Sequence, residues 1–183
     1  MILREKKGFT IIELMVVLAI LAVLASVAIP SLLNWLPDMR LKAAARDLYS
    51  NMQKMRIKAI KSNSGTAIQF FPATNSYSIC PSWIGGACTV PQENVNLAKY
   101  KSGIKFSHGN ATRMATVVGL PFPSKYDNVS YSAPTNTLVF NSQGICNGGY
   151  VYLGHQKNTS TYAVGTTTSG LIKIRRWQGG TWQ

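Results

Sequence analysis

The residue with the clearest chemical demand is Glu13, a carboxylate at the start of a long apolar run. From Leu14 to Leu33, 20 residues, the chain carries no charged side chain. As a helix rising ~1.5 Å per residue, this run spans roughly 30 Å, the thickness of the hydrocarbon core of a bilayer. A carboxylate inside such a helix costs several kcal/mol on insertion, so Glu13 is expected to be functional and to have a charged partner.

The apolar run has the features of a retained membrane anchor. Arg4, Lys6 and Lys7 precede it, as the positive-inside rule expects for an end left in the cytoplasm. A cleaved signal peptide has an apolar core of only ~7–15 residues, followed by a small-residue cleavage site. Here the run is longer, and the small residue Gly8 lies before it, so the anchor is favoured over the signal peptide.

A second chemical group lies near the C terminus, where Lys173, Arg175, Arg176 and Trp177 follow one another. In a strand, Lys173 and Arg175 point to one face, and Arg176 extends the charge. Trp177 and Trp182 add planar surfaces within a Gln-Gly-Gly tail that is expected to flex. Cations with aromatic rings suit a phosphate backbone and stacked bases, so these residues are candidates for binding DNA. The alternative is an edge strand protected by positive charge.

The net charge points to the same class of partner. From Asp38 onward, 16 Lys and Arg residues face four acids, which gives +12 for this part of a chain with a total charge of +13. Such an excess favours polyanions: nucleic acid, acidic polysaccharide or anionic lipid. The alternative is a solvated basic surface that only aids solubility.

Three cysteines, Cys80, Cys88 and Cys146, are candidates for disulfide formation. The anchor would place them outside the cytoplasm, in an oxidising compartment. Cys80 and Cys88 bracket a turn-rich loop, but pairing of either with Cys146 remains open, and one thiol is left over. The three lack CxxC spacing, and His108 and His155 are distant, so no metal site is expected.

An amphipathic helix is predicted after the anchor. Pro30 loosens the late part of the membrane helix, and a break or bend is expected across 34–38, the membrane exit. Residues 38–62 then show one narrow apolar stripe on a basic surface. The stripe is expected to pack on the protein's own sheet rather than on neighbouring subunits. Its members are Leu41, Ala45, Leu48, Met52, Met55 and Ala59.

The remainder of the chain is rich in short β-branched and aromatic runs separated by Asn, Ser, Gly and Pro clusters, a pattern typical of antiparallel strands. One long helix followed by many strands predicts an α+β fold, with a helix laid on antiparallel sheets. The predicted strands are Thr66–Phe71, Tyr77–Cys80, Gly103–Phe106, Ala115–Val118, Val129–Tyr131, Leu138–Phe140, Tyr150–Leu153, Tyr162–Gly165 and Leu171–Arg175.

The segment Gly8-Phe9-Thr10-Ile11-Ile12-Glu13-Leu14 resembles the processing site of type IV pilins and type II secretion pseudopilins. The resemblance implies that prepilin peptidase cuts after Gly8 on the cytoplasmic side and methylates the new amino terminus at Phe9. It also implies that Glu13 meets the Phe9 amine of a neighbouring subunit in the filament. Opposite charges attract strongly in that low-dielectric setting. Pro30 stands where pilins commonly carry a helix-loosening proline.

Later segments resemble the minor pilin group that contains GspH and FimT. The resemblance rests on 139–144, 149–153, 162–164 and 170–174, and on Arg56 followed by Ala59-Ile60 near the helix end. It implies a low-copy subunit of a pilus or pseudopilus. Some FimT-like members contribute to DNA uptake through a Gly-Arg-x-Arg pattern. This sequence departs from that pattern, because Gly170 is followed by Leu171.

The expected organisation is a leader at 1–8, a transmembrane helix at 9–37, an amphipathic helix at 38–62 and an antiparallel β domain at 63–183. The expected protein is an inner-membrane, single-pass subunit with a periplasmic C-terminal domain, later part of a pilus or pseudopilus. Its expected partners are prepilin peptidase, other major and minor pilins, the inner-membrane assembly platform and double-stranded DNA. The leading hypothesis is a FimT-like minor pilin that takes part in assembly and binds DNA for natural transformation. The alternative is a GspH-like secretion pseudopilin or a purely structural minor pilin.

Catalysis has little support in the sequence. There is no acid pair, no Gly-rich phosphate loop and no nucleophile elbow, and beyond residue 40 only three acids and two histidines remain. Neither an enzymatic activity nor a cofactor is therefore expected.

Overall fold

The structure, a computed structural model, describes residues 8–89, 93–116, 119–122, 128–157 and 160–183. The described elements are one α-helix, two 3₁₀ turns and eleven strands. They are α1 (Ile11–Ser62), the 3₁₀ turns Pro72–Thr74 and Leu97–Tyr100, and the strands β1 (Thr66–Phe71), β2 (Ser76–Cys80), β3 (Trp83–Ile84), β4 (Ala87–Cys88), β5 (Glu93–Asn96), β6 (Lys105–Phe106), β7 (Thr137–Phe140), β8 (Gly149–Gly154), β9 (Thr161–Thr166), β10 (Ile172–Gln178) and β11 (Thr181–Trp182).

Helix α1 is a single element of 52 residues. Of the break or bend expected across 34–38, the break is therefore wrong, because the helix continues through both Pro30 and Pro37; the bend stays a prediction. The turns after Pro37 are stabilised by buried side chains such as Leu41 and Ala44. The chain nevertheless divides into two compact units, 1–36 and 37–183.

The first unit consists, in its described part, of the N-terminal portion of α1. Its segment Ile11–Pro30 is long and apolar enough to cross a membrane, and none of it is buried by the rest of the protein. This segment lies within the apolar run for which the sequence predicts a membrane anchor.

The second unit, here called the globular unit, is built from antiparallel sheets packed against the C-terminal half of α1. One sheet has the strand order β5-β2-β1-β7 and the other the order β11-β10-β9-β8-β6, while β3 and β4 form a separate hairpin. The predicted helix stripe is buried, from Leu41 to Ala59, in a core that also contains Ile68, Phe140 and Val164 from the two sheets. The α+β fold class is thus confirmed, and the stripe packs on the protein's own sheets.

Strand predictions fail where pairing is short or where propensity is misleading. Ala115 and Thr116 lie in bends, so the described half of the predicted strand Ala115–Val118 is not a strand, and residues 117–118 lie outside the described residues. Only an isolated bridge, Val129 to Val151, forms in the predicted strand Val129–Tyr131. The short strands β3, β4, β5 and β11 were not predicted.

The face of the five-stranded sheet that points away from the main core carries a second, aromatic cluster. Tyr150 and Tyr152 of β8 lie beside Ala163 of β9, with Phe122 and Trp182 packed against them. We call this surface the outer face. It positions the basic residues of β10.

Candidate assembly site and basic surfaces

The N-terminal site is organised by Thr10, a residue whose role the sequence reasoning missed. Residues 8–10 are not helical, α1 begins at Ile11, and the Glu13 backbone N–H donates a hydrogen bond to Thr10 Oγ1 over 3.2 Å. Thr10 is thus an N-cap with Glu13 three residues later, which is the spacing of a capping box. That signal was present in the sequence. Glu13 therefore has a local helix-capping role available in addition to any intermolecular pairing.

Gly8 has no steric requirement for glycine among the described residues. A Cβ added there would meet no atom within 4 Å. Residues 1–7 of the expected leader lie outside the described residues. Among the described residues, packing therefore does not demand glycine at this position.

The cations near the C terminus occupy two faces. Lys173 and Arg175 alternate with core-side residues along β10 and lie half-buried on the outer face. Arg175 Nη1 donates to the Ala115 carbonyl over 3.4 Å, and Arg175 pairs in register with Ala163, a member of the aromatic cluster.

Arg176 points away from the outer face, toward α1. Its Nη2 donates to Ser160 Oγ over 3.3 Å, and it pairs in register with Tyr162. Burial raises the pKa of the Tyr162 hydroxyl, while the positive charges of Arg176 and Arg46 both act to lower it. The three C-terminal cations therefore do not converge, since one joins the helix charges and two remain on the outer face.

Trp177 is not the open stacking surface that the sequence suggested. Only 7% of it is exposed, and its ring meets Trp182 at a centroid distance of 5.2 Å. The expected flexible tail is instead a β10–β11 hairpin whose two turn residues, Gly179 and Gly180, both have positive φ. A Gly-Gly pair between two strand-like residues is a known hairpin signal, so the sequence did contain the information.

Trp182 closes this hairpin over the outer face. Its Nε1 donates to the Arg113 carbonyl over 2.7 Å, and its ring lies 5.6 Å from that of Tyr152. Trp182 stays half-exposed, so it is the tryptophan of this pair that remains available for contact.

Arg56, on the helix, has a structural role. Its Nε donates to the Gly144 carbonyl over 3.1 Å, linking the end of α1 to the loop after β7. It also lies beside Cys146, where it partly offsets the rise in the pKa of that thiol caused by burial. The Arg56 charge is therefore engaged inside the fold, unlike the exposed Lys54, Lys58 and Lys61.

The disulfide alternatives are resolved in favour of the local pair. Cys80 and Cys88 are bonded, with their Cα atoms 5.7 Å apart, and they close the hairpin of β3 and β4. Cys146 is a buried free thiol whose Sγ lies 3.2 Å from the Thr167 carbonyl.

The two histidines serve separate local contacts. His155 Nε2 lies 3.0 Å from Asp38 Oδ1, and His108 stacks on Phe122. Within the described part of the chain, no three His, Cys, Asp or Glu side chains come together as a metal site would require.

Two family models match the sequence. Residues 3–29 match the prokaryotic N-terminal methylation motif, and residues 44–170 match the type II transport protein GspH. The second match covers well over half of the chain. No curated protein matches the chain in a sequence comparison.

Two solved structures resemble this chain at low sequence identity. The minor pilin FimU of Pseudomonas aeruginosa matches with a TM-score of 0.51 and 12% identity, over 78% of this chain and 92% of that one. The minor pseudopilin EpsH of the Vibrio cholerae type 2 secretion system matches with a TM-score of 0.49 and 13% identity, over 74% of this chain and 94% of that one. At such identities the likeness to FimU concerns the fold alone.

Proposed function

The chain belongs to the GspH family of type II transport proteins, and on that premise we propose that this minor pilin or pseudopilin is a FimT-like subunit of a type IV pilus. Members of this family are structural subunits that associate with other pilins and with an assembly machinery, and they are processed at an N-terminal leader. The observation that carries the proposal is the methylation motif at the start of an unburied apolar helix.

Assembly would depend on two groups that lie four residues apart. Cleavage after Gly8 would free the amine of Phe9 at the edge of the apolar segment, next to the first turn of α1. The Glu13 carboxylate of an adjacent subunit would pair with that amine inside the filament. In the apolar interior this attraction is much stronger than in water, so an unpaired Glu13 would disfavour the filament.

The proposed location is the inner membrane, with the globular unit in the periplasm before assembly. The Cys80–Cys88 disulfide supports this placement because such bonds persist in oxidising compartments and are rare in the cytosol.

DNA contact is the finer part of the proposal and is centred on the outer face. Lys173 and Arg175 lie on the same face as the half-exposed ring of Trp182, so this face combines cations with an aromatic surface. The buried ring of Trp177 would pack against that of Trp182 and would not contact DNA. The alternative remains a secretion pseudopilin or a purely structural minor pilin without a ligand.

Assembly is tested by Glu13→Gln in cells that make the pilus. Glutamine preserves the N3 partner of a capping box but removes the charge, so this variant separates pairing from capping. We expect it to insert in the membrane, to be processed and to be absent from sheared filaments. Thr10→Val is the matched control, since it removes the cap and keeps the charge, and it should still assemble. Recovery of Glu13→Gln in filaments at the wild-type level would refute the pairing role.

DNA contact is tested by mobility shift of residues 37–183 with duplex DNA across a salt series. Each phosphate contact contributes about 0.9 to the slope of log affinity against log salt, so Lys173→Gln/Arg175→Gln should reduce the slope by about two. The control, Lys58→Gln/Lys61→Gln, removes the same charge from α1. Wild-type protein that causes no shift at low salt, or equal losses in both variants, would leave the structural alternative.

A further inference from the structure

A second concentration of positive charge lies where α1 enters the globular unit, at Asp38. We call this region the Asp38 end. It gathers three segments that are distant in sequence: the first turns of α1 after Pro37, the loop at 101–105, and residues 155–157 after β8. Hydrogen bonds tie these segments together, so their side chains are held in one place.

Two hydrogen bonds attach the loops to the helix. Arg40 Nη1 donates to Ser102 Oγ over 2.8 Å, and His155 Nε2 lies 3.0 Å from Asp38 Oδ1. The loops also contact each other, since the Gln156 N–H donates to the Ser102 carbonyl. Lys105 pairs in register with Gly154, one residue before His155.

Arg176 completes the region from the neighbouring strand. Its bond to Ser160 and its pairing with Tyr162 place it at the start of β9, and Tyr162 also lies within electrostatic range of Asp38 and Arg46 of α1. All of the cations gathered at this end are exposed except Arg40, which is half-buried. They are Arg40, Arg46, Lys101, Lys105, Lys157 and Arg176.

Acidic residues do little to neutralise this end. Of the three acids that the structure describes in the globular unit, Asp38 belongs here, and its carboxylate is bonded to His155. Asp47, farther along α1, accepts a hydrogen bond from the Tyr100 hydroxyl, and it lines a separate polar cavity with Glu93. The described part of the Asp38 end therefore carries a clear net positive charge.

The short sequence distance between the uncharged run and the Asp38 end also limits which polyanions this surface can bind. Asp38 follows Leu33, the last residue of the uncharged run, by five residues in the sequence. Five residues span at most ~18 Å even when fully extended, which is about two Debye lengths of ~8 Å each at physiological ionic strength. A lipid surface that held the uncharged run would therefore tether these cations close to its headgroups, whereas a soluble polyanion would have to compete with it.

We propose that the Asp38 end binds the headgroups of anionic phospholipids in the leaflet from which α1 emerges. The attraction seats the globular unit on the membrane before extraction into a filament, and it adds a lipid-dependent barrier to that extraction. The proposal rests on membrane anchorage by α1 and is independent of DNA contact at the outer face.

The test uses the full chain in nanodiscs of phosphatidylcholine alone or of phosphatidylcholine with phosphatidylglycerol. Incorporation is measured first by co-elution with the discs, and hydrogen exchange is then followed for peptides that cover 99–106 and 153–162. We expect both regions to exchange more slowly in the anionic discs, with the difference disappearing at high salt. Each cation near an anionic surface strengthens association about five-fold, so Lys101→Gln/Lys105→Gln/Lys157→Gln should abolish the difference.

The matched control is Lys54→Gln/Lys58→Gln/Lys61→Gln, which removes the same charge from the far part of α1 and should keep the difference. Equal exchange of the wild-type protein in both lipid compositions would overturn the proposal, as would an equal loss in the two variants. Failure to co-elute with either type of disc would instead remove the anchorage on which the proposal depends, and the proposal with it.

Discussion

Gly170, in the turn between β9 and β10, is the position where a single added methyl group should have the largest effect that the structure can quantify. Its φ is +81°, a conformation that L residues other than glycine rarely adopt. A Cβ built there would lie far inside contact distance of the Gly144 carbonyl oxygen and 3.1 Å from Arg56 Nε. The atom in the way is backbone, so relief requires the Gly144 loop to move.

Two costs add for Gly170→Ala. Left-handed backbone at a residue other than glycine costs ~1–3 kcal/mol. Moving the Gly144 carbonyl also breaks its 3.1 Å hydrogen bond from Arg56, and bonds from charged donors are worth ~1.5–3 kcal/mol. The free energy of unfolding should therefore fall by about 3–5 kcal/mol, a large part of the ~5–15 kcal/mol typical of a domain.

Urea unfolding of residues 37–183 measures this loss. Gly180→Ala is the matched control, because Gly180 has a φ of +83° and a Cβ there would meet nothing within 4 Å. It should lose only the backbone term, ~1–3 kcal/mol. If Gly170→Ala and Gly180→Ala lowered the free energy of unfolding equally, the inferred contact among Gly170, Gly144 and Arg56 would be wrong.

Two further predictions concern stability. The disulfide joins cysteines that are 8 residues apart, so Cys80→Ala/Cys88→Ala should lower the free energy of unfolding by about 2.5 kcal/mol. Cys146→Ser, which changes the free thiol, is the comparison. An unchanged urea midpoint for the double variant would contradict this estimate. Burial raises the pKa of the Tyr77 hydroxyl to about 12, so the unfolded state should release this proton first, and stability should fall as pH rises from about 10 to 12. Tyr77→Phe should reduce this loss of stability at alkaline pH by at most ~2.7 kcal/mol, as measured by the free energy of unfolding at pH 9 and at higher pH. If the variant and the wild-type protein lost stability identically with pH, the prediction would be wrong.

The helix was predictable because its signal is periodic and long. The spacing of Leu41, Leu48, Met52 and Ala59 alone determines which face of α1 is buried. The predicted helix break was wrong because a local rule, that proline ends a helix, was given more weight than the packing of the turns that follow Pro37. Tertiary contacts of the next turns outweigh the loss of one backbone hydrogen bond.

Short strands were harder to predict because partners outside the strand decide their pairing. Strand β5 has the sequence Glu-Asn-Val-Asn, in which only Val95 is buried, so its residues have little intrinsic preference for a strand. The run at 115–118 has better propensity, yet the Ala115 N–H donates to the Tyr152 hydroxyl and Ala115 packs in the aromatic cluster of the outer face. No local sequence pattern predicts that this run makes a tertiary contact instead of forming a strand.

The two candidate sites also differ in how far the sequence alone could predict them. The N-terminal motif is contiguous, so sequence alone could define it, including the Thr10–Glu13 spacing. The basic site required three dimensions, because alternation along β10 sends Arg175 and Arg176 to opposite faces, and the hairpin buries Trp177 under Trp182. Gly170, the first residue of the segment 170–174 on which the resemblance rests, already has a steric reason to be glycine, so its presence does not by itself argue for DNA.

The division of the C-terminal cations makes the two proposed surfaces separable by experiment. Arg176 is bonded to Ser160 and pairs with Tyr162, so Arg176→Gln should weaken the lipid-dependent protection at 153–162 and leave the salt slope of DNA binding almost unchanged. Lys173→Gln should do the reverse, because Lys173 pairs with Gly165 on the outer face. Both substitutions remove one charge, so a nonspecific effect of net charge would change both readouts in both variants. That result would mean that the +12 excess acts as one diffuse field, and neither surface could then be called a site.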